Sequence, residues 1–240
     1  MQRLVVAPDQ FEGDSCIYLT PEQRHYLLSV LRLRVGDRLI VLNGLGKGWL
    51  AELNAEETLD LLEPYHFKTE LSRPVHLVAA LPKNGFDEVV RCCTELGVMH
   101  ITPVLSARTI LKPSANKLKR WRKIATEAAE QSERAFVPTI CEPIKFNDYL
   151  QQPLESTHYL CAARATSPHL LDLLTTHSFS ESAGNLTICV GPEGGWTEKE
   201  IEQAIAQSME TVSLGRSILR AVTASITSIS LVNGVLSRQP

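Results

Sequence analysis

The sequence predicts an α/β protein in two parts, a small N-terminal β-barrel over residues 1–71 and a parallel-sheet domain over residues 72–240. Three observations predict it. The chain changes character at Ser72-Arg73-Pro74, from short strands broken by turns to a regular alternation of strand and helix. Near the C-terminus, Leu186-Thr-Ile-Cys-Val-Gly-Pro-Glu-Gly-Gly-Trp-Thr-Glu-Lys-Glu-Ile201 and Val212-Ser-Leu-Gly-Arg-Ser-Ile-Leu-Arg-Ala-Val-Thr-Ala224 each run from an apolar strand through a glycine-bearing loop into a helix. That arrangement lets backbone N–H groups approach a ligand at the carboxyl edge of a parallel sheet, and two such loops in succession imply one ligand.

The barrel strands are expected at 3–6, 16–19, 38–42, 48–53 and 59–62, with turns at Gly36-Asp37 and Asn43-Gly44. One helix interrupts them. Thr20 is a good N-cap, Pro21 suits the first helical position, Gln23 completes a capping box, and the helix carries His25 to an end near Arg32. Gly44-Leu-Gly-Lys-Gly48 lies between two strands and lacks the helix that would hold a phosphate, so it reads as a hairpin turn. Beyond Pro74 the expected strands are 75–80, 101–105, 157–162, 186–190 and 211–214. Helices are expected over 86–96, about 116–131, after Pro168, over 197–207 and from about 222 to 236. Strands buried between helices make the sheet parallel.

With 240 residues, 44% of them hydrophobic, the chain has material for a substantial core. Its start lacks a signal peptide's apolar stretch and no run approaches a bilayer span, so a cytoplasmic protein without a membrane anchor is expected. Six cysteines without a CxxC pair read as reduced, mostly buried thiols, and seven dispersed histidines without HExxH give no metal site. GxSxG is absent too. Gly191-Pro-Glu-Gly-Gly195 matches neither a triphosphate loop nor GxGxxG. The phosphate readings weaken, and a ligand bound by bent backbone that carries an adenosine without phosphates fits the loops, S-adenosylmethionine being the common example.

A net charge of −3 argues against indiscriminate nucleic-acid binding, yet Lys112, Lys117, Lys119, Arg120, Arg122 and Lys123 form a run without an acid, with Trp121 among them. A solvated helix face and a phosphate-contacting surface both fit. Arg3, Arg24, Arg32, Arg34 and Arg38 form a sparser set, of which Arg3, Arg32 and Arg34 are candidate phosphate contacts.

Val190-Gly-Pro-Glu-Gly-Gly195 followed by Ser213-Leu-Gly-Arg-Ser-Ile-Leu-Arg-Ala-Val-Thr-Ala224 resembles the paired signatures of the SPOUT superfamily of RNA methyltransferases. The whole chain resembles the bacterial small-subunit ribosomal RNA methyltransferase E family. That resemblance extends through His25-Tyr-Leu-Leu-Ser-Val-Leu-Arg32, Gly36-Asp37, Lys83, Thr94-Glu-Leu-Gly-Val98, Pro103, Arg108, Trp121 to Arg134, and Pro138. It implies a PUA-like RNA-binding barrel, a C-terminal domain with a deep trefoil knot, and a homodimer with active sites at the subunit interface. Ordinary chain-tracing rules would not have suggested the knot. It also implies methylation of N3 of a uridine in 16S ribosomal RNA, alone or in the 30S subunit.

The same resemblance places S-adenosylmethionine on Val190, Gly191, Gly195, Leu214, Gly215, Ile218, Leu219 and Arg220. It adds Lys83, Arg108 and Arg134 to Arg3, Arg32, Arg34, Lys117, Lys119, Arg120 and Lys123 as RNA-binding candidates. N3 becomes nucleophilic only after losing its proton, so a fixed cation is needed, and Arg220 is the leading catalytic candidate. Glu193 is the candidate proton acceptor, although bracing the loop or capping the next helix is the preferred reading of it. Many relatives read Leu-Arg-Thr-Glu-Thr-Ala where this chain has Leu219-Arg-Ala-Val-Thr-Ala224, so Val222 replaces an acid. Arg91 and Cys92 stand where relatives often carry a lysine. The rival readings are a SPOUT enzyme acting on another RNA and a non-catalytic RNA-binding protein.

Overall fold

The computed structural model describes residues 1–13, 15–110, 113–154, 157–162, 167–176 and 184–238. Lys112 of the basic run lies outside them. Contacts divide the chain into two compact units, Met1–Glu70 with Ala129–Val137, and Leu71–Ala128 with the described residues from Pro138 onward. The first unit thus takes in a segment that a boundary at residue 71 leaves out. Glu70 holds it: one carboxylate oxygen accepts the N–H groups of Ala135 and Phe136, and the other pairs with Arg134 at 2.7 Å.

The N-terminal unit comprises β1 (Arg3–Val5), β2 (Phe11–Glu12), β3 (Cys16–Ile17), α1 (Pro21–His25), β4 (Arg38–Leu42), β5 (Gly48–Leu53) and β6 (Leu59–Tyr65). Its sheet runs β1-β4-β5-β6-β3-β2, parallel at β1–β4 and antiparallel elsewhere, with a register shift at Leu50/Ala51 that bends β5. Ile17, Leu27, Leu39, Val41, Ala51 and Leu59 close a core on one face. The capping box at α1 is formed: Thr20 Oγ1 accepts the Gln23 N–H and Gln23 Oε1 accepts the Thr20 N–H. After α1 the chain loosens into a π turn over Tyr26–Val30, and Arg32 closes it with φ +59°, a conformation in which a non-glycine residue is uncommon. Gly44-Leu-Gly-Lys-Gly48 is the β4–β5 hairpin. Its Gly46 has φ +95°, and a Cβ there would lie 2.5 Å from the Phe136 ring.

The second unit comprises β7 (Val75–Ala80), α2 (Phe86–Glu95), β8 (His100–Leu105), α3 (Ala115–Gln131), β9 (Thr139–Ile140), β10 (Ile144–Lys145), α4 (Phe146–Tyr149), β11 (Thr157–Cys161), α5 (Leu170–Thr176), β12 (Leu186–Val190), α6 (Glu198–Ala206), β13 (Glu210–Val212) and α7 (Ala221–Leu236); the last turn of α3 groups with the first unit. The sheet order β10-β8-β7-β12-β11-β13, with β9 on β8, is parallel throughout, as expected of strands such as Leu186–Val190 that are buried along their whole length. On α3 the basic residues face outward because Leu118, Trp121 and Ala125 face the core. Trp121 packs edge-on against Phe86 and donates its indole N–H to Asp87 at 2.9 Å. Among the described residues no helix is long and apolar enough to cross a membrane.

A polar cluster occupies the amino ends of the central strands, away from the glycine loops. His76 bonds Thr102 Oγ1 at 2.8 Å and meets the ring of His100 edge-on, while Tyr149 reaches across to His158 at 3.2 Å. Burial, helped by the neighbouring His100 and His158, pushes His76 down to about 4. His76 is therefore neutral in the fold and takes up a proton on unfolding as pH falls below the ordinary imidazole range. The linkage makes stability fall with falling pH, by about 2 kcal/mol between about pH 7.5 and 5 from this residue. Urea midpoints measured across that window should show the loss, and His76→Gln should flatten it.

Candidate functional site

The two glycine loops leave the carboxyl ends of β12 and β13, which flank β11 in the sheet. Their proximity follows from strand order, and with the end of β11 they wall a cavity of about 410 Å³, within the range usual for small-molecule sites. Val190, Gly191, Gly195, Leu214, Gly215, Ile218 and Leu219 all contribute to its wall. Arg220 does not; it is exposed at the N-cap of α7, beside Ala221 and Ala224, which do. Among the described residues no ion pair holds the Arg220 guanidinium.

Gly195 has φ +68°, and a Cβ on it would find no atom within 4 Å, so the missing side chain leaves the wall bare. Gly191 is glycine for a different reason. A Cβ there would lie 3.1 Å from the indole of Trp196, which stacks on Phe146 with centroids 4.2 Å apart. Thr197 caps α6 and forms a capping box with Glu200, a residue only 4% exposed. Glu193 therefore does not cap the helix. Its Oε1 accepts the backbone N–H of Lys83 at 2.9 Å, bracing the loop against the β7–α2 turn.

The β8–α3 loop braces the other side. Ala107 donates its N–H to Glu200 Oε1 at 2.8 Å, and Arg108 Nη1 donates to the carbonyl oxygens of Gly194 at 2.6 Å and Trp196 at 3.4 Å. Among the described residues Arg108 is the arginine in the cavity wall. Local sequence offered no means of separating it from the RNA-binding candidates, since its place depends on a contact 86 residues away in sequence. Trp196, also in the wall, adjoins the glycine motif, and its place there is the one local signal for it. The wall also holds Cys161, whose thiol burial pushes up to about 12, so it stays protonated and unreactive at neutral pH. All six cysteines are free; Cys93 and Cys189 are buried and the other four only half-buried.

Of the RNA-binding candidates, Arg32, Arg34, Lys83, Lys117 and Lys119 are exposed. Arg120 pairs with Asp87 at 2.7 Å and Lys123 with Glu127 at 3.7 Å, surface pairs weak enough to exchange for a phosphate. Two arginines stand otherwise than expected. Arg134 is 2% exposed and clamped by Glu70, and the Arg3 side chain is 8% exposed in a 2.6 Å pair with Glu133. Both are paired within the N-terminal unit, Arg134 with the half-buried Glu70 and Arg3 with the exposed Glu133. Val222, in place of an acid, packs against Gly85, where a Cβ would stand 2.9 Å from Val222 Cγ2.

The chain matches the RNA methyltransferase domain family over residues 69–233 and the RNA methyltransferase PUA domain over residues 19–61. It is 46% identical over 239 residues to the ribosomal RNA small subunit methyltransferase E of Synechocystis, covering 98% of this chain and 78% of the relative. With the Bacillus subtilis protein of the same description it shares 30% identity, covering 97% and 96% of the two chains. Among solved structures, the Neisseria gonorrhoeae ribosomal RNA small subunit methyltransferase E bound to S-adenosylmethionine superposes with a TM-score of 0.85 at 29% identity, covering 96% of this chain and 95% of that one.

Proposed function

Because this chain belongs to the ribosomal RNA small subunit methyltransferase E family, we propose that it transfers a methyl group from S-adenosylmethionine to N3 of a uridine in 16S ribosomal RNA. The observation that carries the reading is the cavity at the carboxyl edge of the sheet, walled by two glycine loops whose shared chemistry is bare backbone. It fits a methyl donor. Val190, Gly191 and Gly195 on one side, with Leu214, Gly215, Ile218 and Leu219 on the other, offer peptide groups and apolar contact suited to an adenosine and a methionine chain. When bound, S-adenosylmethionine supplies a methyl carbon made electrophilic by its sulfonium.

The chain's own groups do the rest. Holding nitrogen, methyl and sulfur in line is worth up to roughly 7–11 kcal/mol, and the clamped loops provide that rigidity. As N3 loses its proton, negative charge gathers on the uracil carbonyl oxygens, where Arg220 and the positive end of α7 stabilise it; the charge is discharged when N3 bonds the methyl carbon and the carbon–sulfur bond breaks, releasing S-adenosylhomocysteine. Glu193 is the brace of the donor loop, since one of its oxygens already holds the Lys83 N–H. The acceptor of the N3 proton, lost before attack, is solvent. A PUA-like unit bearing Arg32 and Arg34, together with Lys117 and Lys119 on α3, supplies the RNA contacts; the C-terminal unit is knotted and pairs as a homodimer, as in the family this chain resembles.

Mass mapping of 16S ribosomal RNA from cells lacking the protein tests the assignment. One uridine should lose an N3-methyl group and regain it on complementation; complete modification in the deletion strain would refute the proposal.

A further inference from the structure

We infer that Arg108 is a positioning residue for the methyl-donor loop, holding the peptides on either side of Gly195 in the shape that receives the donor. The inference rests on reading the cavity as a donor site. Three observations carry it. The two carbonyl oxygens that share Arg108 Nη1, those of Gly194 and Trp196, straddle Gly195, one of the glycines that line the cavity with no side chain. The aliphatic stem of Arg108 occupies the place of a Gly194 side chain, with Cδ 3.1 Å and Cβ 3.4 Å from where a Cβ would stand. Among the described residues no carboxylate pairs with the guanidinium, so the loop's own carbonyls are what it grips.

The loop needs that grip. Glu193 is tied to Lys83 and Thr197 is fixed as the helix cap, which leaves Gly194, Gly195 and Trp196 as the span between anchors. Two of those three are glycines, the residues that lose most conformational freedom on ordering. A charged donor bonded to carbonyl oxygens is among the stronger restraints a side chain can apply to backbone. Supported from the next loop by Ala107 on Glu200, Arg108 makes the β8–α3 connection a splint for the donor loop. Contact with RNA phosphate is the competing role. It predicts a different dependence on salt.

Calorimetric titration of S-adenosylmethionine into the full-length protein separates the two. Arg108→Ala should raise the donor Kd roughly 10-fold to 100-fold while the thermal midpoint confirms a folded chain. Arg108→Lys should recover part of the loss, since the shorter side chain keeps a charged donor but lacks the guanidinium plane that aims Nη1 at both carbonyls. Gly194→Ala, which crowds the arginine stem, should also weaken binding, and the double variant should bind no worse than Arg108→Ala alone because both changes break the same contact. The slope of log RNA affinity against log salt should stay at its wild-type value. An unchanged donor Kd in folded Arg108→Ala would overturn the inference, as would additive losses in the double variant. A slope flattened by about one unit with donor affinity intact would assign Arg108 to phosphate instead. Failure of the wild-type chain to bind the donor would count against the donor-site reading itself.

Discussion

Replacing Arg220 with alanine is expected to lower the single-turnover rate on small ribosomal subunits by roughly 100-fold to 1000-fold, the usual cost of removing one preorganised group that stabilises developing negative charge. Donor affinity should change little, because Arg220 stands outside the cavity wall while its neighbours Leu219 and Ala221 form part of it. Arg220 is the N-cap of the 16-residue helix α7, so its charge adds to the positive end of that helix's dipole. Arg220→Lys should restore only part of the rate, since a point charge cannot reproduce two parallel N–H donors. Glu193→Gln should leave the pH–rate profile unchanged, and Val222→Glu should accelerate little, if solvent takes the N3 proton. A full-speed Arg220→Ala enzyme would remove the proposed source of anion stabilisation.

Gly195→Asp is expected to weaken S-adenosylmethionine binding by about 100-fold or more, or about 2.7 kcal/mol, without unfolding either unit. Aspartate is among the residues that tolerate a positive φ, and the +68° at Gly195 with no atom within 4 Å of a Cβ gives its backbone and side chain room. Its carboxylate would then enter the space that the bare glycine leaves beside the cavity. Gly195→Ala is the control, with an expected cost of tenfold or less, because left-handed strain of about 1–2 kcal/mol is present in both the free and the bound states and largely cancels in the affinity. Calorimetry on both variants checks the ordering; equal donor affinity in wild type and Gly195→Asp would mean that the loop does not face the donor.

How far the fold was legible depended on whether its causes were local. Leu186–Val190 is buried from end to end and reads as an interior parallel strand, and Thr20 and Thr197 announce their helices because the capping partner lies three residues along. Short elements such as β2, β9, β10 and α4, two to four residues each, carry no measurable periodicity and were not anticipated. The helix expected to run on to Arg32 opens instead into a π turn at Tyr26–Val30. The capture of Ala129–Val137 by the first unit rests on Glu70, 64 residues from Arg134, a pairing that no local pattern encodes. For the same reason Arg3 and Arg134 looked like surface cations although acids within the fold claim them. The glycine loops were the most legible part of the site because bare backbone shows directly as composition. The contacts of Arg108 and Glu193 depend on which loop folds against which, so local sequence leaves more than one role open for each.

The central claim is that this chain methylates N3 of a 16S ribosomal RNA uridine with a donor held by the two glycine loops. Its most direct test is to incubate the purified protein with S-adenosylmethionine carrying a labelled methyl group and with 30S subunits from cells lacking the protein, then to digest the RNA and identify the labelled nucleoside by mass spectrometry. The account predicts one labelled product, N3-methyluridine from a single position in 16S ribosomal RNA, and its disappearance with the Gly195→Asp protein. Label on another base, or none from a folded protein that still binds the subunit, would contradict it.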